Sequence, residues 1–384
     1  MLRDLIDEIG ARLNRVSSIV ITVLAVITAL LVGAIIILLS DVEALSNGDF
    51  GKQLSEVGSA YFALLNGSFG SLRAVSETID NSTPLIISGI SVAVAFKAGL
   101  FNIGATGQMM AGGLAATWVG FAMDGPGFVQ IPLALFAALV GGALIGAVPG
   151  FLKARTGAHE VITTIMLNYI GGFLLLWALD THMFQRPDRT DPISKFVSNK
   201  SRLPDLLGFV NGSSSFPHIG IFIALSTVVV YWWFLERSKI GFEFRVYGQN
   251  PEAARYAGIR PKYLTVLGMV FAGALAGLAG GIEILGRYGY TTQTFAGTIG
   301  FDAIAIALLG RSSPTGTMVS AILFGALQSG GREMQVATDI NIDMIVVIRA
   351  LIVMFIAAPL LVKTIWRLRF ADVEAGPTFK GWGS

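Results

Sequence analysis

The sequence predicts an all-α, polytopic membrane protein of about ten transmembrane segments, with an inverted repeat and two broken or short segments. Three observations carry this reading. Of 384 residues, 53% are hydrophobic and only 14% are charged, where an average soluble domain carries about 25% charge. A soluble chain this long needs more charge to cover its surface. Ten apolar runs follow one another, and two of the shortest lie beside glycine-rich breaks, one in each half. The chain has no cysteine, which excludes a disulfide scaffold and a cysteine metal site. A net charge of +2 gives no reason to expect a nucleic-acid partner.

The first run, Ile19–Leu39, holds 21 residues without a charge, and a bilayer core needs about 20. It is too long for the apolar core of a signal peptide, so it reads as an uncleaved span. The others are Pro84–Phe96, Met109–Met123, Ile131–Phe151, Val161–Leu179, Ile219–Leu235, Tyr263–Leu285, Phe301–Leu309, Thr315–Leu327 and Met344–Val362. Their apolar residues cover both faces, unlike the alternation of barrel strands. Arg3, Arg12 and Arg15 before the first span place the N-terminus in the cytoplasm. Ten crossings return the C-terminus there, with Lys363, Arg367, Arg369 and Lys380. The resulting organisation is a cytoplasmic N-terminal segment over 1–18, a transmembrane domain over 19–366 with a cytoplasmic loop at 236–262, and a cytoplasmic tail over 367–384. The outside loop Asp180–Pro217 carries five basic residues against this pattern, but also four Asp and four Pro. Long loops translocate with less regard to charge.

Two stretches are irregular. Pro84–Met123 must make two crossings in forty residues, about 60 Å of helix, which leaves nothing for a turn. Its middle, Lys97 to Gln108, has three glycines that invite a break, and Asn102, Thr106 and Gln108 to satisfy freed backbone groups. Gly297–Gly316 surrounds a run of nine apolar residues and carries Asp302. Paired irregular segments, inverted between halves, point to a transport path. Glycine used for close helix packing is the alternative.

Within the cytoplasmic loop, Asn250 to Gly258 is a short helix with its punctuation. Asn250 is the N-cap, Pro251 the first turn, Glu252 favours the positive dipole end, and Gly258 is the stop. So short a helix needs an external surface. That surface is either another protein or this chain and its membrane.

These residues carry a family resemblance. Leu100-Phe-Asn-Ile-Gly-Ala-Thr-Gly-Gln108 resembles the LFNIGxEGQ signature of ABC-importer permeases for simple sugars, nucleosides and branched-chain amino acids. Gly241 to Gly258 is similar to that family's cytoplasmic coupling segment, and Gly300 to Gly310 with the following Ser-Pro-Thr-Gly to its second-half motif. His159 to Tyr169 resembles the nucleoside-type permeases that work with Bmp-like lipoproteins. The resemblance spans about Leu64 to Ala358. Thr106 departs from it, standing where the family usually has Glu. The resemblance implies a membrane-spanning permease subunit of an ATP-driven importer, for nucleosides, in the bacterial cell membrane. Its partners would be a second permease subunit of different sequence, cytoplasmic ATPase subunits and a substrate-delivering lipoprotein. The chain itself is then no enzyme and holds no cofactor, and it has no GxxxxGK[ST] loop, so ATP and Mg belong to the ATPase.

On this reading the substrate path comprises Phe101, Asn102, Gly104, Gly107, Glu160, Thr164, Asn168 and Asp302. Glu160, Thr164 and Asn168 share one helix face, suited to ribose hydroxyls and base edges, or alternatively to interhelical hydrogen bonds. Asp302 is alternatively a helix cap. Glu283 and Arg349, charged and inside apolar runs, could pair. ATPase coupling falls to Asn250, Glu252, Ala253, Ala254, Arg255, Tyr256 and Gly258, with Ala254 deep in the partner's groove. The three histidines lack metal-ligand spacing. The competing function is an ion- or proton-coupled secondary transporter with Glu160 or Asp302 carrying the proton. A docking helix argues against it.

Overall fold

The computed structural model describes residues 2–40, 50–187, 189–206, 217–338, 340 and 343–366. Among these residues it is helical, with three isolated β-bridges and no longer strand. The proposed tail over 367–384 lies outside the described residues. Two compact units divide the chain, Leu65–Gly330 and the pair Met1–Leu64 with Gly331–Ser384.

In the terminal unit, α1 (Leu2–Ser40) packs on α13 (Asp343–Ala357) and α14 (Pro359–Ile365). The Trp366 indole N–H donates to Thr28 Oγ1 at 2.9 Å, and α2 (Phe50–Phe69) sends Tyr61 Oη to the Leu30 carbonyl at 2.6 Å. The run Met344–Val362 is not one straight span, because α13 and α14 meet at 91°. Pro359 opens α14 and holds Ala358 outside helical geometry, at φ −116 and ψ 66. Proline excludes the helical region from the residue before it.

The larger unit begins with α3 (Leu72–Lys97), α4 (Ala105–Ala122), α5 (Gly127–Thr156) and α6 (Glu160–Leu179). It continues with α7 (Gly220–Arg237), α8 (Lys239–Gln249), α9 (Pro251–Tyr256) and α10 (Pro261–Ile282), which runs on into a π-helical turn at Glu283–Tyr288. The last two helices are α11 (Ile299–Leu309) and α12 (Pro314–Thr338), the latter crossing the unit boundary. In their most apolar windows α3 is 83% and α10 67% buried, against 22–28% for α5, α6 and α7. So α3 and α10 form the core, and the others turn an apolar face outward. On α6 that face is Ile162, Met166, Tyr169, Phe173 and Trp177, all exposed, as lipid contact requires.

α5 and α10 cross backbone to backbone. A Cβ on Gly277 would run into the Ala138 carbonyl and stand 2.8 Å from Gly142 Cα. One on Gly142 would strike the Gly273 carbonyl. Gly142, Gly146 and Gly150 face Gly273, Gly277 and the neighbours of Gly273 on the preceding turn, a small-xxx-small seam.

The count of ten spans is not reproduced. Among the described residues, six helices are long and apolar enough to cross a membrane, or seven if α13 and α14 form one span. α11, read as a crossing, has 11 residues, about 16 Å of helix, half a bilayer. The described part of the Asp180–Pro217 connection is pinned rather than free. Ser194 N–H donates to the Thr291 carbonyl at 3.0 Å, Val197 N–H to Gly289 at 2.8 Å, and Leu203 N–H to Leu285 at 2.9 Å. His218 closes it, its ring against Gly286 and its Nδ1 accepting from Gly220 N–H at 3.0 Å.

Two outcomes follow for stability. Gly277→Ala should lower the melting temperature of the solubilised protein, as overpacking of about 1–3 kcal/mol requires. Gly172→Ala, with nothing within 4 Å of the new methyl, should not. Burial, aided by Arg287, lowers the His218 pKa to about 4. Between that value and the ordinary His value of about 6.5 the unfolded chain binds the extra proton. Stability should therefore fall as pH drops through this window, and His218→Asn should flatten that part of the melting-temperature profile.

Candidate translocation site

Both irregular stretches are breaks. α3 ends at Lys97, and Gly99 takes φ +69, which favours glycine. Leu100 N–H returns to the Ala95 carbonyl at 2.9 Å, and the chain runs irregularly to Gly104, the N-cap of α4. Glycine has no side chain to cap with, and the helix leaves its first N–H groups unmet. α6 supplies the cap from outside. Asn168 Oδ1 accepts Gly107 N–H, the third residue of α4, at 2.8 Å, and Asn168 Nδ2 donates to the Ile103 carbonyl at 2.8 Å. Thr164 Oγ1 accepts Ile103 N–H at 3.4 Å and donates to the Glu160 carbonyl at 2.7 Å.

Inside the break, Asn102 and Gln108 face each other amide to amide. Asn102 Nδ2 donates to Gln108 Oε1 at 2.9 Å and Gln108 Nε2 to Asn102 Oδ1 at 3.3 Å, and Gly104 N–H adds a bond to Asn102 Oδ1 at 3.0 Å. Both side chains are buried. Gly107 lets α6 come this close, because a Cβ there would lie 2.7 Å from the Leu167 carbonyl and 3.0 Å from Asn168 Cα. Gly104 is less constrained, its nearest neighbours being the Asn102 and Thr164 side chains at 3.1 Å. The Phe101 ring, half-buried, packs on Phe96 with centroids 5.0 Å apart.

The second break meets the first. α11 begins at Ile299, and a Cβ on Gly300 would strike Thr106 Oγ1 and stand 2.5 Å from Thr106 N. The N-termini of α4 and α11 thus touch at Thr106 and Gly300. Thr106 Oγ1 is buried without a hydrogen-bond partner among the described residues. α11 ends at Gly310, with Arg311 and Ser312 at φ +53 and +52, and Tyr231 Oη of α7 donates to the Ser312 carbonyl at 2.9 Å.

Of the eight residues assigned to the path, the structure gathers Phe101, Asn102, Gly104, Gly107, Thr164 and Asn168 around the first break. Two stand elsewhere. Glu160 pairs with Lys153 Nζ of α5 at 2.6 Å. Asp302 does not cap α11, since Thr298 holds that position, and its carboxylate accepts the Thr298 hydroxyl at 2.8 Å. Asn168 spends both amide ends on the break, which makes it the helix glue of the alternative reading. Glu283 pairs with Arg287, at 3.4 Å.

The cytoplasmic-loop motif folds as punctuated. Asn250 Oδ1 accepts Glu252 and Ala253 N–H at 3.1 and 3.0 Å, Pro251 opens α9, and Gly258 takes φ +77. Ala254 is fully buried within this chain, so the expectation that it fills a partner's groove is corrected. Glu252, Ala253, Arg255, Tyr256 and Gly258 are exposed, as is Asn250. The sequence reading missed α8, whose N-cap, Ser238 accepting Gly241 N–H at 2.9 Å, was its available signal. α8 is anchored by buried Phe244, whose ring meets Phe234 edge-on at 5.5 Å. Its Gly248 lies on the first break. A Cβ on Gly99 would stand 3.1 Å from Gly248 Cα, and one on Gly248 would strike the Lys97 carbonyl.

Asn168→Leu should strand the Gly107 donor and the Ile103 acceptor, at about 1–3 kcal/mol each. The outcome expected is a lower melting temperature with reduced transport rate. A changed solute affinity at unchanged stability would contradict the capping role.

The family model for the branched-chain amino acid transport system / permease component matches residues 75–358. A guanosine ABC transporter permease protein of Bacillus subtilis is 39% identical over 90% of this chain and 94% of its own length. A nucleoside ABC transporter permease protein of Lactococcus lactis is 35% identical, over 91% and 93%. A glucose ABC transporter permease protein of Haloferax volcanii is 33% identical, over 87% and 86%. Among solved structures, PsaBC from Streptococcus pneumoniae in complex with Fab shows a distant likeness that adds nothing, with 14% identity, a TM-score of 0.40 and coverage of 78% of this chain and 94% of that one. With the family model spanning both breaks and the whole of α8 and α9, this chain belongs to the branched-chain amino acid transport system permease family.

Proposed function

We propose that this chain is the membrane-spanning permease subunit of an ATP-driven importer of nucleosides. It works with a second permease subunit, an ABC ATPase that holds ATP and Mg, and a lipoprotein that delivers substrate. The end of the bundle carrying α8 and α9 is cytoplasmic in this reading, as are both termini. Nucleosides are favoured over sugars because the guanosine and nucleoside permeases show higher identity than the glucose one.

The observation that carries the coupling role is one contact. α9 exposes most of its surface, follows α8 through the shared residue Asn250, and α8 rests Gly248 against Lys97 and Gly99 at the start of the first break. Movement of α9 by a docked ATPase therefore reaches the break within one short helix. The ion-coupled alternative loses support at both of its carboxylates. Glu160 is engaged by Lys153 and Asp302 by Thr298.

The test separates docking from packing. Arg255→Glu with Tyr256→Ala changes two exposed residues, so the variant should insert and melt normally yet lose ATPase co-purification and ATP-driven nucleoside uptake by at least tenfold. Ala254→Arg should instead lose the folded permease, because a buried unpaired charge costs several kcal/mol. Normal uptake by the double variant would remove α9 from the coupling role.

A further inference from the structure

Between the π-helical turn and α11 the chain is irregular at a depth where lipid would forbid it. It starts at the end of the bundle opposite α8 and α9. Thr291 N–H donates there to Ser194 Oγ at 2.8 Å, and its carbonyl accepts Ser194 N–H at 3.0 Å, which ties it to the Asp180–Pro217 connection. His218, closing that connection, donates its N–H to Asp80 Oδ1 in the first half of α3 at 3.2 Å, whereas Gly248 of α8 meets the Lys97 end. From Thr291 the chain descends alongside α4. The Thr291 hydroxyl bonds that of Thr117, a Cβ on Gly113 would stand 2.5 Å from the Phe295 ring, and Gly300 lies on Thr106. From Thr117 to Thr106 α4 rises about 16 Å, about half a hydrocarbon core. Over this interval α4 sits inside the bundle, with Gly112 against Gly277 of α10 and Ala111 against Gly141 of α5. The descending backbone turns without forming a helix, Gly297 N–H returning to the Thr294 carbonyl at 3.0 Å and Ile299 N–H to Ala296 at 3.1 Å.

The segment has two faces. Phe295 and Ala296 are buried toward the bundle. Gln293, Thr294, Gly297 and Thr298 are exposed, and α11 continues the strip with Phe301, 55% exposed. Nothing lies within 4 Å of a Cβ built on Gly297. Irregular backbone at membrane depth is tolerated where protein buries it or water meets it, but not against lipid. Burial under a partner would strand an amide, two hydroxyls and the turn's backbone unless each found a counterpart, while water satisfies all of them. The strip also runs unbroken from the outer end of the bundle to the second break, which is the course a solute needs. Its one large apolar group, the Phe301 ring, offers a flat surface beside hydrogen-bonding side chains. The Thr298 hydroxyl donates to Asp302, so its oxygen can still accept from a solute. A planar apolar face edged by polar groups matches such a mixed lining.

We propose that Gln293, Thr294, Gly297, Thr298 and Phe301 line the aqueous route by which solute reaches the second break, with the Phe301 ring as the platform on which the nucleobase stacks. Gln293, Thr294 and Thr298 meet the ribose hydroxyls. This inference rests on the proposed nucleoside import and deepens it by assigning the solute-contacting face of this subunit.

The chain contains no cysteine, so single cysteines report water directly. The permease pair with its ATPase, in lipid nanodiscs, is open to solution on both sides. Thiols react as thiolates, which form in water and not in hydrocarbon, so Thr294→Cys and Thr298→Cys should react with a charged methanethiosulfonate about tenfold faster, or more, than Phe173→Cys on the lipid-facing strip of α6. Guanosine should slow the reaction at Thr298→Cys, and ribose at the same concentration should not. In that background Phe301→Leu should raise the half-protecting guanosine concentration about fivefold or more, while Phe301→Trp keeps it within about twofold, as base stacking on an aromatic ring requires. T294C carries the test if T298C does not assemble. Reaction no faster than at Phe173→Cys would overturn the aqueous route. Fast reaction that guanosine leaves unchanged, or an unaltered half-protecting concentration in F301L, would overturn the solute contact. ATP-driven guanosine uptake by the complete wild-type assembly tests the import reading by itself. Its failure removes nucleoside import and the base platform with it, whereas uptake alongside unreactive cysteines removes this strip alone.

Discussion

A helix broken inside hydrocarbon must find partners for its freed backbone groups within the protein, and Asn168 provides them for the first break. One amide on α6 takes the Gly107 donor and the Ile103 acceptor together. Other features follow from this requirement. Gly107 has no side chain because α6 must approach closely enough for Asn168 to reach, and Gly171 meets Gly107 Cα from the other side at the same crossing. Gly104 is free to be a bare N-cap because the cap comes from elsewhere. Asn102 and Gln108 then close their side-chain amides on one another, and Asn102 also takes the Gly104 N–H.

The two breaks solve this problem differently. The first is held by side chains of a neighbouring helix. The second is held by its own backbone, with Ser312 N–H returning to the Ala307 carbonyl at 2.7 Å, and by Tyr231. Its turn stores strain, since Arg311 and Ser312 both take positive φ, at about 1 kcal/mol or more per residue. Where the breaks touch, two helix N-termini converge and neither is capped by the side chain of its own N-cap residue. The partial positive charges of both helices then favour acceptor groups nearby, partly offset by Asp302 in the first turn of α11.

Much of this was legible in sequence. Composition identifies the membrane class, and the mismatch between forty residues and two crossings locates the first break before any coordinate. Asn250, Pro251 and Gly258 announce α9 because capping is local chemistry. What escaped is tertiary. Asn168 reads equally well as a substrate ligand or as glue until Gly107 is placed beside it. Glu160 shares a face with Thr164, but Lys153 is brought to it by the turn between α5 and α6. Ala254 looks like a docking residue until α9 is folded back on its own chain. The Gly142 and Gly273 seams, spaced four apart, carry a packing signal that was there to be read. The number of spans is less legible, because α4 and α12 mix small and polar residues into apolar ones, and burial inside a bundle removes the need for a uniformly lipophilic helix.

The contact between Gly248 and the first break has a mechanical character set by its chemistry. Two glycines meet there with backbone at van der Waals distance and, among the described residues, no backbone hydrogen bond across the junction. Such a contact resists compression steeply, because packed backbone has no side chain to yield. It offers little against tension, since dispersion between a few atoms is weak. A push on α8 is therefore passed to Lys97 and Gly99 almost undiminished, while a pull is not. Recovery must come from elements bonded to the break, namely the Asn168 cap and the Asn102–Gln108 pair. The same hydrogen bonds that let the helix break in the membrane thus define the conformation to which it returns.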